Sequence, residues 1–172
     1  KEKLKAEKKI ISHSQSSNLN YVIYRMPMVY DSGNKSNVNR LLKLIKKSYP
    51  FILFKNINHL KKSFLSIENI KLCIEYNLQN IDSIRSDIFN ISDKNNVSVN
   101  EFIINIKKIL DSRSILITLP YFLLKFLIKI PFLGRYFLKL YGQHEICNQN
   151  VQKTYKIEFF DTYSCISRIN NE

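Results

Sequence analysis

The chain holds 172 residues, 45% of them apolar, with 27 Lys and Arg against 14 Asp and Glu, a formal net charge of +13. Eleven Phe and ten Tyr supply a core, which excludes a disordered chain, and three Gly with four Pro exclude collagen-like or low-complexity composition. The length predicts one domain or a domain plus part of another, and three scattered cysteines without CxxC spacing argue against a disulfide scaffold or zinc site and for a reducing, cytoplasmic setting.

Along the chain, the charged opening KEKLKAEKK has no apolar run behind it and predicts no secretory signal. Residues 1–12 read as a helix with Leu4, Ile10 and Ile11 as apolar contacts. NYVIYR, residues 20–25, is β-branched and aromatic and predicts a buried strand ahead of Pro27. The segment VYDSGNKSN reads as a loop, followed by a helix in which Val38, Leu41, Leu42 and Ile45 hold one face. Pro50 stops that helix, and FILF, residues 51–54, is a short strand. A turn at 56–62 leads through 63–66 to a helix over 67–78, with Ile70, Ile74 and Leu78 on one face. DIFNI, residues 87–91, predicts a strand. SVNE, residues 98–101, is a capping box: the Ser98 hydroxyl accepts from the third backbone N–H, and Glu101 returns to the cap. The helix that it opens carries Val99, Phe102, Ile103, Ile106, Ile109 and Leu110 at core spacing. Alternating helices and short strands predict an α/β or α+β chain.

The positive charge raises nucleic acid and anionic membrane as partners. The lysines are spread among apolar residues with no helix-turn-helix, zinc or ribonucleoprotein motif, so no nucleic-acid partner is predicted. Residues 114–141 form the strongest membrane candidate. Pro120 and Pro131 break it and Lys125, Lys129, Arg135 and Lys139 interrupt it, whereas a spanning helix needs about 20 nearly uncharged residues. Tyr121, Leu124, Leu127 and Ile128 recur at helical spacing. The stretch therefore reads as two short amphipathic helices hinged at Pro131 and Gly134 that cover a core, with an interfacial membrane helix as the alternative.

No phosphate-cradling GxGxxG or GxxxxGK[ST] loop is present, and His13, His59 and His144 lack paired-ligand spacing, so no metal is predicted. Glu68, Asp82, Asp87, Asp93 and Glu101 are placed mostly at helix starts or turns, where capping explains them.

The order of the segments says more than any single motif. KEKLKAEKKI, YVIYRMPMVYDSGNKSNVNRLLKLIKK, PFILF, KKSFLSIENI and DIFNISDKNNVSVNEFI together resemble the second half of an extended short-chain dehydrogenase/reductase. More narrowly, the chain resembles the NAD-dependent sugar-nucleotide epimerase/dehydratase family, UDP-glucose 4-epimerase-like. The resemblance covers nearly all of residues 1–172 and implies the C-terminal part of that domain, without its dinucleotide-binding half. It implies an α/β fold: the last strands of a Rossmann-like doubly wound sheet plus a small α/β substrate-binding lobe.

The resemblance also implies roles. Lys3-Leu4-Lys5-Ala6-Glu7 is similar to the segment that follows the Tyr of a YxxxK motif, which makes Lys3 the family lysine and puts the tyrosine before residue 1. In the family that lysine holds the nicotinamide ribose and helps the phenol, with pKa about 10, to act as a base. YRMPMVY matches in Arg25, Pro27 and Tyr30, with Pro27 lining the nicotinamide pocket and Arg25 divided between the site and an ion pair. Asn37 would donate to a nucleotide diphosphate at a helix N-terminus, capping being its alternative. Phe54 would meet the uracil ring or serve the core. Lys62 stands where an Arg grips the diphosphate, keeping the charge without the bidentate fork.

The implied function is thus the substrate-binding portion of an NAD-dependent UDP-sugar 4-epimerase, inactive alone. A 4-ketoreductase, a 4,6-dehydratase and a non-catalytic basic peripheral membrane protein are alternatives. Implied partners are a nucleotide sugar and, in the whole family enzyme, a second copy; membrane is disfavoured. The chain departs from the family at Asp31, Ser32 and Ser36, where glycines are usual, at Cys147, where Asp is usual, and at Tyr155-Lys156-Ile157.

Overall fold

A computed structural model describes residues 2–31, 33 and 36–171, the side chains of Leu133 and Asn171 excepted. The expected helix start at Lys1 and the loop position Ser32 lie outside them. In chain order the elements are α1 Glu2–Ser17, β1 Val22–Arg25, β2 Met28–Tyr30, α2 Asn37–Lys46, β3 Phe51–Phe54, β4 Lys61–Lys62, β5 Phe64–Ser66, α3 Ile67–Gln79, β6 Asp87–Asn90, β7 Val97–Ser98, α4 Val99–Ile109, β8 Leu116–Leu119, α5 Tyr121–Lys129, α6 Leu133–Tyr141, α7 Gln149–Tyr155 and α8 Thr162–Asn171. A single 3-10 turn, Ile81–Ser83, links α3 to β6.

The α/β architecture is as expected. Among the described residues the strands form paired ladders: β1 with β6, β2 with β5 and β3 with β8, all parallel, and β4 with β7, antiparallel. The α4 helix starts where its sequence says it should. Ser98 Oγ accepts from Glu101 N at 3.2 Å while Glu101 Oε2 accepts from Ser98 N at 3.0 Å, the reciprocal capping box. Val99, Phe102, Ile103 and Ile106 line its buried face. They join Val38 and Ile45 of α2, Leu53 and Phe54 of β3, Leu124 of α5, Tyr141 of α6 and Cys165 and Ile166 of α8 in the larger core. A second cluster of Leu65, Cys73, Phe89, Ile91, Val151, Tyr155 and Phe159 lies between β5, β6, α3 and α7.

Several expectations need correction. The run read as a loop from Val29 begins as a strand, because Met28–Tyr30 pairs with Phe64–Ser66 and Tyr30 is fully buried. Pro27 immediately precedes this strand, a position that asks for no backbone donor. The apolar stretch after Ser114 likewise contains β8 before its two helices, held by β3. The expected buried strand at 20–25 is shorter and half-buried, with Arg25 exposed. The first helix runs on to Ser17, and Leu4 and Ile10, expected as its core contacts, are exposed. In α3 the inner face holds Asn69 and Cys73, while Ile74 and Leu78 face outward, because Asn69 is drawn inward by polar partners described below. The two paired helices are as expected, with α5 packing on α6, but the break falls at Ile130 to Phe132, and Gly134, expected as part of the hinge, lies inside α6.

Candidate functional site at the strand ends

Ligands of open α/β sheets gather beyond the carboxyl ends of strands, where the polypeptide changes ladder. Pro27 marks such a crossing: the chain leaves the β1–β6 ladder after Arg25 and enters the β2–β5 ladder at Met28. It is half-buried.

The α1 helix is tied to the same place. Arg25, the last residue of β1, donates to Glu7 through Nη2 and, at 3.2 Å, through Nε. This pair lowers the Glu7 pKa and raises that of Arg25. Arg25 thus belongs to a structural ion pair. Lys3 lies one helical turn before Glu7 on the same side of α1 and is exposed.

Lys62 approaches from the other partner of the ladder. Because Met28 is registered with Phe64, Pro27 and Ser63 stand at the same end of the β2–β5 pair, and Lys62 immediately precedes Ser63. Its side chain is turned inward, 6% exposed, and Nζ donates to Lys139 O at 2.7 Å in the last turn of α6. That carbonyl belongs to the negative end of a helix, a natural acceptor for an ammonium. Burial pulls the Lys62 pKa below the ordinary lysine value.

Asn37 is placed at the opposite end of β2. It is the exposed first residue of α2, whose capping hydroxyl comes from Ser36, accepting from Asn39 N at 3.1 Å. The Asn39 side chain donates to Asp31 O and so fastens the helix start beside the end of β2. The cap expected of Asn37 is therefore supplied by its neighbour, leaving the Asn37 side chain at a helix N-terminus. Phe54 is in the core. Its ring is fully buried, edge-on to Tyr141 at 5.1 Å and to Phe137 at 6.0 Å, and its backbone is engaged by Asn100, which accepts from Phe54 N at 3.4 Å and donates to Phe54 O at 2.6 Å.

A polar cleft of about 340 Å³ opens just past β6, lined by Ser92, Lys94, Asn96 and residues 145–149. Its two walls are stitched to the Lys62 strand: Ser63 N donates to His144 O at 2.8 Å, and Ser63 Oγ accepts from Ile146 N at 2.7 Å and donates to Asn96 Oδ1 at 2.6 Å. Cys147 is an exposed free thiol on this wall.

The expectation that capping explains Asp93 fails. Asp93 is 1% exposed and accepts from the Tyr30 hydroxyl at 2.7 Å, Ser66 N at 2.8 Å, Asn69 Nδ2 at 2.8 Å and the Thr162 hydroxyl at 2.8 Å. It binds the ends of β2 and β5 to the starts of α3 and α8. Burial raises its pKa, opposed by its donors. A short polar run after a strand gave no sign of this. Among the described residues no cluster of His, Cys, Asp or Glu could hold a metal ion, and no helix is long and apolar enough to cross a membrane.

No family model matches the chain. It is 28% identical over 151 residues to UDP-glucose 4-epimerase of Vibrio cholerae, an alignment that covers 86% of this chain and 41% of that protein. UDP-glucuronic acid 4-epimerase from Bacillus cereus, solved with UDP-glucuronic acid and NAD, superposes with a TM-score of 0.67 at 16% identity, covering 97% of this chain and 49% of the other. UDP-N-acetylglucosamine 4-epimerase from Bacillus cereus gives 0.67 at 13% identity, over 92% of this chain and 48% of the other. The chain thus spans about half or less of the length of the relatives it matches. In sequence it is similar to part of a UDP-glucose 4-epimerase, and in fold to about half of these NAD-dependent sugar-nucleotide epimerases.

Proposed function

We propose that this chain is the substrate-binding portion of an NAD-dependent UDP-sugar 4-epimerase, binding the nucleotide sugar without turning it over alone. The observation that carries the reading is the alignment over most of the chain to a UDP-glucose 4-epimerase. Two features support it: Pro27 follows the end of β1 with Lys62 entering at the same end of the β2–β5 ladder, and Asn37 heads a helix.

In this reading the nicotinamide end of NAD meets Lys3 and Pro27. Their chemistry fits that group: an exposed ammonium suits ribose hydroxyls, and a proline without an N–H offers an apolar wall for the ring. NAD, when bound, supplies the hydride acceptor. Lys3 orients the ribose and favours the ionised form of a neighbouring phenol. Asn37 donates to the diphosphate, strengthened by the positive end of α2. Lys62 neutralises the diphosphate by exchanging the Lys139 carbonyl for phosphate oxygens. Phe54 supports the uridine pocket from below, its ring remaining in the core. A 4-ketoreductase or 4,6-dehydratase would use the same lobe for the same diphosphate.

Calorimetric titration of the 172-residue chain with UDP-glucose and UDP tests the reading. Saturable heat with both, weakened in Asn37→Ala, supports it. A folded chain that takes up neither ligand overturns it, and interconversion of UDP-glucose and UDP-galactose by this chain with added NAD would overturn the claim that it only binds.

A further inference from the structure

The hairpin of α5 and α6 uses only one side for the fold. Leu124 is buried, Leu123, Leu127, Ile128, Phe137 and Leu140 pack against the larger core, and Tyr141 reaches through to donate to Ile52 O at 2.5 Å. The other side is aromatic and bare. Phe122 is 67% exposed, Phe126 64%, Phe132 82% and Tyr136 67%. Phe122 and Phe126 are one turn apart on α5, while Phe132 stands just before α6 and Tyr136 in its first half.

Lys125, Lys129, Arg135 and Lys139, all exposed, flank these rings, and the sequence between Asp111 and Glu145 contains no acidic residue. An apolar face ringed only by cations complements a surface that is apolar inside and anionic at its rim. The backbone holds one ring outward at a cost: Phe132 sits at φ 76° and ψ −55°, a strained conformation for a bulky side chain.

We propose that the α5–α6 hairpin docks this protein on an anionic lipid bilayer, with Phe122, Phe126, Phe132 and Tyr136 inserted among the headgroups and Lys125, Lys129, Arg135 and Lys139 on the lipid phosphates. The hairpin lies in the interface and does not span. Strongly basic, Phe-rich faces bind by area buried plus attraction to anionic lipid, and attachment is reversible by salt. This inference stands apart from nucleotide binding, because no side chain among these residues is assigned to that site, where Lys139 enters only through its backbone carbonyl.

The chain has no Trp, so Phe122→Trp and Tyr136→Trp each install a single fluorescent reporter at an exposed position of the full chain. Vesicles of phosphatidylcholine with phosphatidylglycerol are expected to shift both emissions to the blue and to carry the protein into the pellet. Both effects should fall as salt rises. Lys125→Gln and Lys129→Gln should each weaken partitioning about fivefold. Leu78→Trp, exposed on α3, should show no shift in the same titration. Phe132→Gly should weaken partitioning while raising the thermal midpoint, since glycine accepts the positive φ. A folded chain that neither shifts nor sediments overturns the proposal. So does a shift with duplex DNA or poly(U) but not with vesicles, and so does concentration-dependent dimerisation that buries the reporters without lipid.

Discussion

The Tyr30 hydroxyl donates to Asp93 Oδ2 across 2.7 Å, joining the end of β2 to the segment that follows β6. Ser66 N, Asn69 Nδ2 and the Thr162 hydroxyl also donate to this carboxyl, so every direct partner is a donor. Tyr30→Phe should cost about 1–2 kcal/mol in denaturant unfolding. Asp93→Asn turns an amide N–H toward a donor and should cost about 2–4 kcal/mol.

The pH dependence follows from the direction of the Asp93 shift. Burial raises its pKa above the unfolded value, so the folded state holds the proton more tightly. Its favourable contribution is full below the unfolded pKa and is lost as pH rises through the folded one. The stability difference between wild type and Asp93→Asn should therefore widen as pH is lowered through the raised pKa, measured by urea unfolding of both proteins at matched pH. A difference that narrows would contradict this.

Lys62 separates a binding role from a packing role. Its ammonium is buried on a helix-terminal carbonyl, so replacing it with Met exchanges a desolvated charge for an apolar chain of similar length. Lys62→Met should change stability by less than about 1 kcal/mol while weakening UDP binding about tenfold. Equal UDP affinity in a folded Lys62→Met protein would remove Lys62 from the proposed site.

The capping box offers an internal calibration. Ser98→Ala removes the acceptor for Glu101 N and should destabilise by about 1 kcal/mol, with helical content otherwise retained by circular dichroism.

The cysteines should react in two classes. Cys147 is exposed, whereas burial pushes the thiols of Cys73 and Cys165 up to about 12 and about 11. One equivalent of Ellman's reagent should react with the native protein and the remainder only after unfolding.

Regular elements were legible where local chemistry decided them. Val38, Leu41, Leu42 and Ile45 hold helical spacing, Pro50 bars continuation, and Ser98 with Glu101 closes a cap, so α2, β3 and α4 could be placed from residues near them. What escaped depends on distant partners. Met28–Tyr30 becomes a strand only because Phe64–Ser66 lies beside it, and Asn69 turns inward only because Asp93 and the Phe160 carbonyl accept from it. The candidate site was read from motif order, which singled out Lys3, Pro27 and Lys62. For Phe54 the core alternative is the one observed, but nothing near it in sequence showed that Asn100 would engage its backbone, or that Lys62 would already hold a carbonyl.

The ladders themselves carry a kinetic consequence. Among the described residues no strand pairs with its neighbour in sequence: β1 waits for β6, β2 for β5, β3 for β8 and β4 for β7. There is no hairpin to zip early, so each closure orders a long intervening segment before any ladder bond repays it. Folding should be slow, with β1 to β4 synthesised before the strands that pair with them.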